Sequence, residues 1–167
     1  MEARKTCVGD LIMASFTHYW SIETCDAIAE EREGVKFRHT AGNDFTNHSV
    51  LFGDQIYALT VRQGVLYLIG RLRVARVCKQ AEAIAILKSE PREATDYLIA
   101  EKGTMTAMRF GRKVSLRHAK LLRFPTKTGL QPLKFFARGL LDRQTLRGVR
   151  RLDDASAKLL DRLIVRR

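Results

Sequence analysis

The sequence predicts a mixed α/β fold of the α+β kind. Three observations lead there. An apolar hairpin runs through 50-VLFGDQIYALTVRQGVLYLIGRLRV-74, a capped amphipathic helix closes the chain at 153-DDASAKLLDRLI-164, and short helical stretches separate the two. The 167 residues, 46% of them hydrophobic, suffice for one domain with a sizeable core, and no linker or repeat divides 1–167.

Along the chain, 7-CVGDLIMASF-16 reads as a first strand entered through a Gly-Asp turn. Residues 21-SIETCDAIAEEREG-34 carry early acids and stop at a glycine, as a short helix does. The stretch 37-FRHTAGNDFTNHS-49 has no period and reads as a polar loop. Gly53-Asp54 then turns the chain into strand 55–61, Arg62-Gln63-Gly64 turns it back, and 65–70 returns. In 71-RLRVARV-77 Leu72 and Val74 alternate with Arg71 and Arg73, and Gly70 marks a bulge where the strand changes course. Further on, 80–88 and 91–102 read as two helices, the second started by Pro91. Segment 105–124 combines a strand with a short helix after Ser115, and 125–136 is a loop before a strand. In the terminal helix Asp153 serves as cap, and Ala155, Leu159, Leu160 and Leu163 form the apolar stripe. That stripe packs on the chain's own sheet or, alternatively, on a second copy.

Charge is the most informative quantity. The net charge is +12, yet residues 1–60 hold 5 Lys/Arg against 9 Asp/Glu, and residues 103–151 hold 13 Lys/Arg with Asp142 as the lone acid. Such a field draws in polyanions, nucleic acid first among them. An acidic protein surface is the other partner this charge suits. No run of 18 apolar residues suggests a membrane span, and the charged N-terminus has no signal-peptide core. Cys7, Cys25 and Cys78 are too few and too scattered for a disulfide framework, so the expected compartment is the reducing cytoplasm.

Catalytic and metal motifs are missing. Cys7, His18, Cys25, His39 and His48 lack the short spacings of a zinc site, and no nucleophile-elbow, zincin or phosphate-loop motif occurs. No catalytic residue, metal or cofactor is therefore expected. An enzyme acting on nucleic acid, nuclease-like, would need Asp44, Asp54 and Glu101 to meet in space. The residues Tyr19, Trp20, Thr40, Asn43, Asp44, Phe45 and Asn47 fit binding better, because aromatic faces beside amide, carboxylate and hydroxyl groups can stack a base and read its edge. Each also has a plain structural reading, as core anchor or turn residue.

The aromatic pair Tyr19-Trp20, the polar loop, Gly53-Asp54 opening the hairpin through Gly70, and the ending 148-GVRRLDDASAKLLDRLI-164 together resemble the PUA-like superfamily. Within it the similarity is to EVE- and ASCH-type domains, relatives of YTH domains. The resemblance spans most of the chain through short motifs. It implies a compact curved sheet or β-barrel flanked by helices, and recognition of a modified base in DNA or RNA inside an aromatic pocket beside a basic surface. Carried over, Trp20 would be a pocket wall, residues 40–47 would supply polar contacts, and Tyr19, Phe37 or Phe45 would stand opposite. Arg71, Arg73, Arg109, Arg112, Lys113 and Arg117 would hold phosphates; the competing expectation is that Arg71 and Arg73 pair with acids of the N-terminal third.

Overall fold

A computed structural model describes residues 13–166. It shows a mixed α/β architecture built on a six-stranded sheet, with a separate two-stranded hairpin and four α-helices. Five strands of the large sheet are β1 (Ser15–Tyr19), β2 (His39–Gly42), β3 (Gln55–Arg62), β4 (Val65–Cys78) and β5 (Asp96–Ala100). The small hairpin is β6 (Arg123–Thr126) with β7 (Gly129–Pro132), and β8 (Val149–Leu152) completes the large sheet. The large sheet runs β2-β5-β4-β3-β1-β8 and does not close into a barrel. β1 lies parallel to β3, and its other neighbour, β8, is antiparallel. No helix among the described residues is long and apolar enough to cross a membrane.

Local chemistry explains most elements. Ser21 accepts a hydrogen bond from the Thr24 amide and opens α1 (Ile22–Arg32). Gln63 and Gly64 both have positive φ (49° and 72°), the geometry of a two-residue hairpin turn whose twist matches that of β3 and β4. The expected bulge at Gly70 is present: Ala58 faces Gly70 and Leu59 faces Leu68, so Ile69 is the extra residue. A second shift leaves Ala75 unmatched against β5. Bulges bend a strand, and here they let the long β4 pair with β3 along its first part and β5 along its last. Helix α2 (Gln80–Leu87) follows, ending at Lys88 in the left-handed region. Ser115 caps the short α3 (Leu116–Ala119). Asp153 caps α4 (Asp154–Val165), accepting from the Ser156 amide at 2.9 Å.

Four expectations need correction. The helix expected over 91–102 is strand β5, flanked by β2 and β4. All five of its residues are buried, and tertiary pairing overrides the helical propensity of Ala, Glu and Leu. The Tyr97 hydroxyl accepts from the Ala94 amide and donates to the Arg92 carbonyl, which fixes the extended entry into the strand. Residues 37–49 contain edge strand β2, paired residue for residue with β5. Residues 123–132 form the β6–β7 hairpin rather than a loop before a strand. Strand β1 begins at Ser15; Cys7 and the Gly9-Asp10 turn lie outside the described residues. The Asp54 carboxylate behaves as a turn group, accepting the amides of Ala14 and Leu51 at 2.9 Å each.

Two apolar clusters sit on opposite faces of the hairpin strands. Ile56, Ala58 and Leu72 point into one with Phe16, Phe37, Phe45 and Trp20. Tyr57, Leu59, Val61, Leu66 and Leu68 point into the other, covered by residues 114–146 and by α4 through Ala157, Leu159 and Leu160. The terminal helix thus buries its stripe on its own sheet; Leu163 is half-buried and Ala155 exposed.

Candidate nucleic-acid interface

Residues two apart on a strand share a face, so His18 and Trp20 at the end of β1 look into the first cluster while Tyr19 looks into the second. Trp20 is half-buried and meets Phe37 edge-on, with ring centroids 5.4 Å apart. Its indole N–H points between His18 Nδ1 (3.2 Å) and Thr40 Oγ1 (3.1 Å). The Thr40 hydroxyl lies 2.8 Å from the same His18 nitrogen. With Nδ1 accepting, the imidazole proton belongs on Nε2. Burial, helped by the charge of Arg92, lowers the His18 pKa to about 4, so the ring is neutral at physiological pH.

The other face of the imidazole explains a glycine. A Cβ on Gly42 would fall 3.0 Å from the Phe45 ring and 3.2 Å from His18 Nε2. Phe45 itself is fully buried, edge-on to His18 at 4.8 Å. It supports the loop from beneath and offers no open face for stacking. Trp20, half-buried, is therefore the most accessible aromatic of this cluster, and Phe37 is its backing.

The loop after β2 brings the polar candidates to the same end of the sheet. Asn43 and Asp44 are exposed; Asn43 accepts the Thr95 amide through Oδ1 at 2.9 Å, and Asn47 reaches Asp44 at 3.5 Å. A carboxylate oxygen of Asp44 lies 3.4 Å from the position a Cβ on Gly148 would occupy, and the Gly148 carbonyl accepts the Tyr19 amide at 3.0 Å. The polar loop thus reaches the start of β8 beside Tyr19, while Trp20 is tied to Thr40 of β2. Arg92, whose charge acts on His18, is bonded to Thr24 Oγ1 at 2.6 Å. Neither His18 nor Arg92 was among the residues expected at the site; the signal for His18 is its spacing of two from Trp20 on a strand.

The basic residues divide sharply. Six cations, all between positions 62 and 109, make the ion pairs seen among the described residues. Arg71 holds Asp161 of α4 at 2.6 Å, and the buried Tyr57 hydroxyl donates to the same carboxylate oxygen at 2.7 Å. Arg73 meets Glu101 at 3.5 Å, and Arg109 meets Glu33 at 3.4 Å. So Arg71 and Arg73 do pair with acids, but with Asp161 and Glu101 rather than acids of the N-terminal third. Arg112 leans on the carbonyls of Leu68 and Ile69, half-buried, while Lys113 and Arg117 are exposed.

From Arg112 to Arg151 the chain carries twelve Lys and Arg, and none of them is ion-paired among the described residues. Nine are exposed. Arg150 is an exception, stacked 4.2 Å above the Phe124 ring and bonded to the Thr145 carbonyl. Burial lowers its pKa and also that of Arg112, where Arg109 adds to the effect. Among the described residues no three His, Cys, Asp or Glu side chains gather as a metal site requires. No family of known proteins matches the chain, and no curated protein matches it.

Proposed function

We propose that this protein is a nucleic-acid-binding module of the PUA-like, EVE-related kind, which takes a modified base of DNA or RNA against Trp20 and holds the flanking phosphates on its basic C-terminal segment. One observation carries the reading: the segment of unpaired cations is joined to β1 one residue before Trp20, through the Gly148 carbonyl and the Tyr19 amide. This bond brings the backbone between Arg147 and Val149 next to β1, which supports putting the cationic segment and Trp20 in one binding surface. The double bulge in β4 supports a curved sheet of the expected type.

In this arrangement the indole N–H is occupied by His18 and Thr40, so a base meets the ring face of Trp20. Asn43 and Asp44, exposed on the adjoining loop with Asn47 behind, supply hydrogen bonds to its edge. Thr40 and Phe45 act beneath, positioning Trp20 and the loop. Lys113 and Arg117 from the original expectation, with Arg143 and Arg147, serve the phosphates. Arg71, Arg73 and Arg109 are engaged by carboxylates and are not assigned to phosphates.

The test is equilibrium binding of labelled single- and double-stranded oligonucleotides, DNA and RNA, with and without base modification, across a salt series. Affinity should fall linearly in log–log form with salt, and Trp20 fluorescence should be quenched on binding. Trp20→Ala should erase the preference for the modified base and weaken binding by about 1–3 kcal/mol. Absence of binding at low salt would sink the reading. It would leave the charge to an acidic protein partner, while cleavage of the oligonucleotide would indicate a nuclease-like enzyme.

A further inference from the structure

Two grooves meet on the face of the hairpin strands that holds the second cluster, and each is lined by one cation without an ion pair among the described residues, Lys113 in one and Arg143 in the other. The first, about 410 Å³, starts at Ile22, two residues beyond Trp20, and passes Arg143 to reach Phe136 and Leu140. The second, about 490 Å³, continues from Gly64 to Lys113 and Leu116. Gly64 and Leu141 line both, so they form one path.

The ridge along this path, residues 135–141, is firmly seated. Phe135 bridges to Leu141, the Phe136 amide donates to the Leu140 carbonyl at 2.7 Å, and the Leu141 amide donates to the Gly64 carbonyl at 2.8 Å. Gly64 must be glycine, since a Cβ there would sit 2.8 Å from the Leu140 side chain on a backbone with φ of +72°. On this fixed ridge the Phe136 ring is 63% exposed, whereas Phe135 beside it packs into the second cluster. Lys120 sits over the Phe135 ring at 5.9 Å. The acid in the groove, Asp142, is occupied in accepting the Gln144 amide at 3.0 Å.

We propose that this groove, which ends at Ile22 just after β1, carries a single strand of nucleic acid, with Phe136 stacking a base and Arg143 and Lys113 contacting phosphates. The inference rests on the nucleic-acid reading above and adds the form of the ligand and its path. An exposed aromatic on a hydrogen-bonded backbone, sharing its groove with Arg143, suits a chain whose every unit offers a π-face and a negative charge. A duplex keeps its base faces inside the stack, and an acidic peptide has charge without the faces.

The experiment uses the full chain with oligothymidylates of about 2, 6 and 12 nucleotides, spanning the range of site sizes that such grooves take. Affinity should rise with length. Phe136→Ala should weaken the longest strand about 5- to 150-fold and leave the shortest unchanged, with Phe136→Trp restoring binding. Lys113→Gln combined with Arg143→Gln should reduce the salt slope by about 1.4. Unchanged melting temperatures would show that the variants are folded. If the longest strand still quenches Trp20 but ignores Phe136→Ala, the groove assignment fails and the Trp20 reading survives. If no strand binds, both fail. If Phe136→Ala instead weakens binding of a polyglutamate peptide while oligonucleotides are indifferent, the groove belongs to an acidic protein.

Discussion

The stretch from Met13 to Phe110 and the stretch from Arg112 to Arg151 use charge in opposite ways. In the first, six of the twelve Lys and Arg have carboxylate partners among the described residues, and the buried polar groups of His18, Thr40 and Trp20 satisfy one another. In the second, none of the twelve is ion-paired among the described residues, although the same segment shares with α4 the covering of the second core cluster. A cation held by a carboxylate contributes to the fold, whereas a crowd of like charges without counter-charges repels itself and costs stability. The difference is that the second segment's charge is left without an internal counter-charge among the described residues, which is why the proposal above gives it to a polyanion.

The largest effect expected in the first region concerns pH. His18 is neutral in the fold with a pKa of about 4, and an unfolded histidine titrates near 6.5. Between those values the unfolded chain binds the extra proton, so stability should fall as pH drops from about 6.5 to about 4, by roughly 3 kcal/mol in total. Urea unfolding of the protein and of His18→Gln across that range measures it. A variant that loses stability as steeply as the parent would show that His18 is not the buried neutral group described.

Next comes the network on α4. Asp161→Ala strands both the Tyr57 hydroxyl and the Arg71 guanidinium, and should destabilise by about 2 kcal/mol in chemical denaturation. The salt slope of oligonucleotide binding should stay as it was. A neutral result would break the distinction between the two regions, because Arg71 would then be as dispensable to the fold as the open cations.

The smallest effect sharpens the comparison most. Arg147→Gln should leave the melting temperature unchanged and reduce the salt slope of single-strand binding by about 0.7, whereas Arg71→Gln should do the reverse. Equal slopes for both variants would mean that paired and unpaired arginines contribute alike to the field a polyanion meets.

Much of the architecture was legible in the chain. Ser21 and Asp153 announce their helices by capping chemistry that needs only neighbouring amides. The hairpin and the bulge at Gly70 follow from alternation and turn residues. What misled was 91–102: Pro91 followed by Ala, Glu and Leu favours a helix locally, and the competing strand exists because β2 and β4 wait on either side. A four-residue edge strand such as β2 has too little periodicity to announce itself. At the candidate site, Trp20 and Thr40 do come together. Tyr19 turns to the opposite face and Phe45 is sealed into the core, outcomes of strand parity and depth.

The sequence by itself determined the caps, the turns, the hairpin and the uneven distribution of charge, because each depends on residues close along the chain. Only the tertiary structure decided which cations are spent. Arg71 meets Asp161 across 90 residues and Arg109 meets Glu33 across 76, while Gly148 is brought beside Tyr19 by the pairing of β8 with β1. Ion pairing acts over a few ångströms of space, and no local pattern encodes which distant carboxylate will arrive there.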